Sequence, residues 1–186
     1  MIVVVTGLPR SGTSMMMQIL QAGGLPVLMD ETRVADASNP RGFLEDSRVR
    51  RLERDAAWLC AAEGHAIKVV SPLLQFLPSE FEYRVLFLRR SLSEVLQSQA
   101  EMLRRSGREP GVDDARMKAD FERHLAGVDR WLSGQRHMKA LDCQHRSLIS
   151  APALQVQRIA EFLALPLDCE RMAAAIDPSL HRQRAP

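Results

Sequence analysis

The chain has 186 residues, enough for one domain with a proper core but short for two. Hydrophobic residues make up 46% and charged residues 26%, the balance of a globular protein with neither a disordered nor a fibrous composition. A net charge of +2 gives no argument for nucleic acid as a partner. The local arginine clusters (Arg48, Arg50, Arg51 and Arg54; Arg104, Arg105 and Arg108) read as solvated helix faces. Three widely spaced cysteines, Cys60, Cys143 and Cys169, and five scattered histidines exclude a disulfide framework and a zinc-binding pattern. No apolar run approaches the roughly 18 residues of a membrane span. The expected location is the cytoplasm, with no membrane partner.

Residues 2–5 form a continuous β-branched run, the pattern of a strand buried on both faces of a parallel sheet. It enters a turn rather than continuing as the apolar stretch of a signal peptide. The loop GLPRSGTS follows, and residues 13–21 read as a helix stopped by Gly23-Gly24. Residues 25–45 are irregular, and residues 46–63 suit one amphipathic helix. Residues 66–70 and 83–88 read as further strands, and 137–141 as a fourth. Ser91-Leu92-Ser93-Glu94 fits a capping box opening a helix to about residue 104. Residues 113–132 repeat apolar side chains at three- and four-residue steps, as a long helix does. Helices are also expected at 150–166 and 169–176. Strands alternating with helices predict an α/β fold, three-layered, with a largely parallel central sheet of about four to five strands.

The loop carries the chemistry. A glycine-rich turn between a strand and a helix offers backbone N–H groups and the positive end of a helix dipole to an anion. Gly7 and Gly12 have the spacing of the nucleotide-hydrolase loop, G-x-x-x-x-G-K-[ST], but Thr13 stands where that loop has lysine. Gly12 admits close approach; Ser11, Thr13 and Ser14 add hydroxyls; Arg10 adds a planar, fixed positive charge. A triphosphatase also needs magnesium, held partly by an Asp at a strand end. The corresponding strand, YRVLFL, ends in Arg89-Arg90, which repels a metal and attracts a second anion. The expected ligand is negative in two separate places, and no metal is expected.

This constellation resembles the sulfotransferases that use 3′-phosphoadenosine 5′-phosphosulfate (PAPS). GLPRSGTS is similar to their 5′-phosphosulfate loop in its P-R-S-G-T form, and RRSLSEVLQS to their 3′-phosphate motif, an arginine at a strand end with a serine eight residues on. The resemblance implies a P-loop-type fold, bacterial in style, over a single domain of residues 1–186. It implies donor contacts by Pro9, Arg10, Ser11, Gly12, Thr13, Ser14, Arg90 and Ser98, and PAPS as sulfuryl donor. The acceptor class it leaves open: small molecule, carbohydrate or peptide, through a hydroxyl or amine. Arg10 and Lys68 are expected to stabilise the leaving group.

Two glutamates compete as general base. Glu31 lies two residues before Arg33, and Glu45 ends NPRGFLE, similar to the acceptor-side motif of bacterial members; Asp30 and His65 are further candidates. ISAPALQVQRIAEFLALPLD resembles the family's C-terminal helix. The stretch before it, Cys143 to Leu148, departs from the usual Y-E-D-L, which puts the contacts made there in doubt. Two other readings remain at this point, a small-molecule kinase with a diverged loop and a non-catalytic nucleotide-binding relative. Nothing in the sequence sets an oligomeric state.

Overall fold

A computed structural model describes residues 1–30, 32, 42–105, 107 and 113–177. Four strands, β1 (Ile2–Gly7), β2 (Ala66–Lys68), β3 (Tyr83–Arg89) and β4 (Met138–Gln144), form one sheet in the order β2-β1-β3-β4. Every pairing is parallel. The two central strands are apolar on both faces, which is what a parallel sheet covered on both sides requires. Val3, Val5, Leu86 and Leu88 pack on one side under α1 (Thr13–Ala22), α5 (Pro152–Leu163) and α6 (Cys169–Ala174). Ile2, Val4, Val85 and Phe87 pack on the other, against Leu59, Leu74, and Val128 and Leu132 of α3 (Asp114–Ser133). The three-layer α/β reading is borne out.

Several boundaries differ from the sequence reading. Residues 46–63 are not one helix but two short 3₁₀ turns, Ser47–Arg51 and Ala57–Ala62. Asp46 accepts from the Arg48 amide at 3.0 Å, and Asp55 from the Ala57 amide at 3.0 Å. These side-chain bonds compete with helical ones and restart the chain in the middle of the segment. Strand β4 runs three residues beyond its expected end. It is an edge strand in which Lys139, Asp142 and Gln144 interrupt the apolar positions, so the continuous apolar run that marks a central strand is missing. The C-terminal helix begins early, as α4 (His145–Ser150), and restarts at Pro152 after Ala151 takes φ −141°. A residue before proline is pushed out of the helical region. Among the described residues no helix is long and apolar enough to cross a membrane.

The parallel register fixes the functional end. Gly7 pairs with Leu88, so the strand preceding the loop and the strand preceding Arg90 finish side by side at the carboxyl edge of the sheet. The helix α2 (Leu92–Arg105) leaves from the same edge.

Phe87 is wholly buried in the second core layer. Phe87→Ala is expected to cost about 3–5 kcal/mol of unfolding free energy, as large-to-small changes in a packed core do. Urea denaturation measures it, and a loss below about 1 kcal/mol would contradict the packing described.

Candidate active site

The loop folds as its glycines demand. A Cβ on Gly7, at φ +151°, would lie 2.5 Å from Ser11 Oγ and 2.8 Å from the Leu88 carbonyl oxygen. Only glycine fits between the loop and β3. Ser11 is correspondingly turned inward: its hydroxyl is buried under the loop, not presented to a ligand. Gly12 caps α1 at φ +104°, and a Cβ there would lie 2.7 Å from Cδ2 of His145. No side chain caps α1, and no acidic residue occupies its first turn. The amide groups of that turn have no intrahelical acceptors, so the positive end of the helix is left for an anion.

Arg10 adopts φ +71°, a left-handed conformation rare for a residue with a side chain. Side-chain and backbone contacts hold it. Its Nε donates to Ser98 Oγ at 3.0 Å, and its carbonyl accepts from Arg90 Nη1 at 3.1 Å. Arg90 is fixed in turn by Glu94, whose Oε2 accepts from Arg90 Nε at 2.8 Å; the two side chains are 8% and 9% exposed. The carboxylate read in the sequence as half of a capping box is therefore an anchor for Arg90. Ser98 is buried at the loop, reached from the second turn of α2. The neighbouring Arg89 takes no part: it is spent on Asp129 and Asp142 and lies over the Phe87 ring.

Lys68 closes the site from the β2 side. It is only 7% exposed, so it is not a strand lysine reaching for solvent. Its Nζ donates to Ser14 Oγ at 3.0 Å, the Phe43 carbonyl at 3.2 Å and Glu45 Oε1 at 2.8 Å. One ammonium thus ties the first turn of α1 to residues 42–45 and aligns the Glu45 carboxylate. Glu45 also stands 4.0 Å from Arg50 and remains 24% exposed, open to an incoming molecule.

The other base candidates sort by geometry. Asp30 accepts from the backbone amides of Ser47 at 2.7 Å and Thr32 at 2.9 Å. Hydrogen bonds from Ser47 first, then Thr32, hold its carboxyl well below the usual carboxylate range, which makes it a poor proton acceptor. His65 precedes β2 at the amino edge, opposite the loop, with Nδ1 2.9 Å from the Glu63 carbonyl. Glu31 lies outside the described residues. Pro9 is exposed at the loop's tip, and Thr13 is nearly buried at the start of α1. The structure thus brings Arg10, Gly12, Ser14, Glu45, Lys68, Arg90 and Ser98 to one edge. Sequence reasoning missed Glu94 and His145. Glu94 was legible as the residue four after Arg90, whereas His145 lies in the stretch that departs from the usual motif.

Neither a protein-family profile nor a curated protein sequence matches the chain. Solved structures do match. The sulfotransferase domain from the curacin biosynthetic pathway superposes with a TM-score of 0.53 at 14% identity, covering 96% of this chain and 88% of that one. The sulfotransferase domain of the Synechococcus PCC 7002 olefin synthase gives 0.54 at 14% identity, over 97% and 78%. Mouse sulfotransferase SULT7A1, solved in complex with PAP, gives 0.55 at 14% identity, over 94% and 62%. The chain has the sulfotransferase fold. The loop and Arg90 follow adjacent strand ends, as the register requires, and Ser98 reaches them from α2.

Gly7→Ala puts a methyl group against the Leu88 backbone at a φ that side chains avoid. A loss of about 2 kcal/mol or more is expected, since strained backbone alone costs about 1–3 kcal/mol. Thermal denaturation should show a melting temperature lower by at least about 4 °C; an unchanged melting temperature would refute the close packing of the loop on β3.

Proposed function

We propose that this protein transfers a sulfuryl group from PAPS to a hydroxyl or amine of a small-molecule, carbohydrate or peptide acceptor. The observation that carries the reading is the hydrogen bond from Arg10 to Ser98. It joins two segments, 88 residues apart in the chain, whose sequences resemble a 5′-phosphosulfate loop and a 3′-phosphate motif. The residues fit a donor charged at both ends. The uncapped start of α1 and Arg10 suit a 5′-phosphosulfate; Ser98 and Arg90 suit a 3′-phosphate. A guanidinium has five N–H donors in a fixed fork, so Arg90 can brace the loop and still meet a phosphate.

PAPS supplies a sulfuryl group on a good leaving group, a phosphate whose charge grows as the S–O bond to it breaks. Arg10 and the first-turn amides of α1 would stabilise that charge. Lys68 adds a second, buried positive charge through its position at Ser14. As the new S–O bond forms, the acceptor's proton passes to Glu45. That carboxylate is aligned by Lys68 and, of the bases named from the sequence, is the one among the described residues that lies on the loop side with Lys68 and Ser14. Holding donor and acceptor in line is the larger part of the task, since sulfuryl transfer asks little covalent chemistry of the protein.

Transfer from PAPS to a broad acceptor panel tests the activity. Glu45→Gln is expected to lower turnover by about 10²–10⁴-fold, the range of general acid–base catalysis, with 3′,5′-ADP affinity unchanged. Turnover near the unmutated level would move the base elsewhere. Arg90→Ala is expected to weaken 3′,5′-ADP by roughly tenfold or more, the value of a hydrogen bond to a charged group, and an unchanged affinity would remove Arg90 from the donor site. Arg10→Ala should depress turnover more than 3′,5′-ADP binding; equal losses would deny it a role at the transferring group. Sustained donor binding with no turnover on any acceptor would favour a non-catalytic relative.

A further inference from the structure

The start of α2 is built unlike the start of α1. The first turn of α1 carries no acidic residue, whereas the first turn of α2 carries Glu94. A carboxylate there offsets the positive end of the helix dipole. It also stands against Arg90, with Oε2 accepting from Nε at 2.8 Å. Both side chains are more than nine-tenths buried. Water and salt therefore screen the Glu94 charge far less than they would at the surface.

Glu94 acts on an anion at Arg90 in two opposed ways. Its hydrogen bond fixes the guanidinium, which also donates from Nη1 to the Arg10 carbonyl at 3.1 Å. Its charge repels the anion, since both meet one planar group. Any acceptor at that position serves the first effect; only a negative charge produces the second. Glu94 already compensates the Arg90 charge. A phosphate arriving at Arg90 gains its attraction to the guanidinium less its repulsion from the carboxylate.

In sulfuryl transfer from PAPS the 3′-phosphate does not react. It is present on the donor and again on the 3′,5′-ADP left behind. Binding energy drawn from it is uniform: it lowers KM without raising kcat. It also holds the product as firmly as the donor. A site that turns over gains by keeping that phosphate in a fixed place with moderate strength, and a buried carboxylate behind the arginine supplies both.

We propose that Glu94 is a positioning residue whose charge also loosens the grip of Arg90 on the 3′-phosphate and so speeds release of 3′,5′-ADP. The assignment rests on the transfer reading above and concerns the 3′ end of its donor site alone.

Glu94→Gln separates the two effects, because the amide oxygen can still accept from Arg90 Nε while the charge is gone. Calorimetry on the full chain should show 3′,5′-ADP binding at least about tenfold tighter than in the unmutated protein, the scale of one poorly screened like charge removed. Its dissociation, followed by surface plasmon resonance, should slow by a similar factor. Affinity for 5′-AMP, which lacks the 3′-phosphate, should not change. Glu94→Ala removes bond and charge together and should bind 3′,5′-ADP less tightly than Glu94→Gln; equal affinity would deny the positioning part. A residue that only anchored Arg90 would lose affinity on losing its charge. Unchanged or weaker 3′,5′-ADP binding by a folded Glu94→Gln protein therefore overturns the proposal. If Glu94→Gln does not fold alone, refolding with ligand decides. 3′,5′-ADP should then restore the fold, by supplying the missing counter-charge, at concentrations where 5′-AMP does not; rescue by neither overturns the proposal. An unmutated protein blind to 3′,5′-ADP would overturn the donor reading itself, whereas tight binding by the unmutated protein with no gain in Glu94→Gln overturns the role of Glu94 alone.

Discussion

The parallel register of β1 against β3 is the constraint on which the site depends. It aligns Gly7 with Leu88 and so sets the glycine loop and Arg90 at neighbouring strand ends. From that adjacency the rest follows. Arg90 reaches the carbonyl of Arg10, and Arg10 reaches Ser98. The left-handed backbone at Arg10 costs about 1–3 kcal/mol. Hydrogen bonds to charged groups contribute about 1.5–3 kcal/mol each, so the two contacts are of the size needed to offset it. The loop is thus held in its left-handed shape by Arg90 and Ser98.

A second bracket acts from the other side. Lys68 at the end of β2 gathers Ser14, the Phe43 carbonyl and Glu45 around one buried ammonium. These acceptors compensate a charge that would otherwise be costly to bury. The helix start, the chain over it and a partly exposed carboxylate become one unit. Asp30 supports the same segment differently, by capping the turn at Ser47. His145 adds a lid of ring atoms over Gly12. The stretch from Cys143 to Leu148 departs in sequence from the usual family motif, but its histidine still packs on the loop.

The parts legible in the sequence were those with a local signature. A β-branched run, a glycine loop and a helical apolar period gave β1, the loop and α1, while the family resemblance pointed to Arg90 and Ser98, which the structure brings beside the loop. Helix boundaries around Asp46 and Asp55 were not legible, because the competition between side-chain and helical hydrogen bonds is settled by local geometry. Edge strand β4 was half-hidden by its polar face. The site's second tier was hidden for another reason. That Glu94 anchors Arg90, that Ser11 turns inward and that Arg89 is consumed by Asp129 and Asp142 are facts of direction, and spacing alone carries no direction.

The central claim is that the loop and the Arg90–Ser98 pair together form a two-anchor donor site. Titration calorimetry of the unmutated protein with 3′,5′-ADP, 5′-AMP and ATP–Mg, each with and without chelator, tests it most directly. The account predicts that 3′,5′-ADP binds much more tightly than 5′-AMP, and equally well with chelator present. Tight binding of ATP–Mg with no response to 3′,5′-ADP would contradict it.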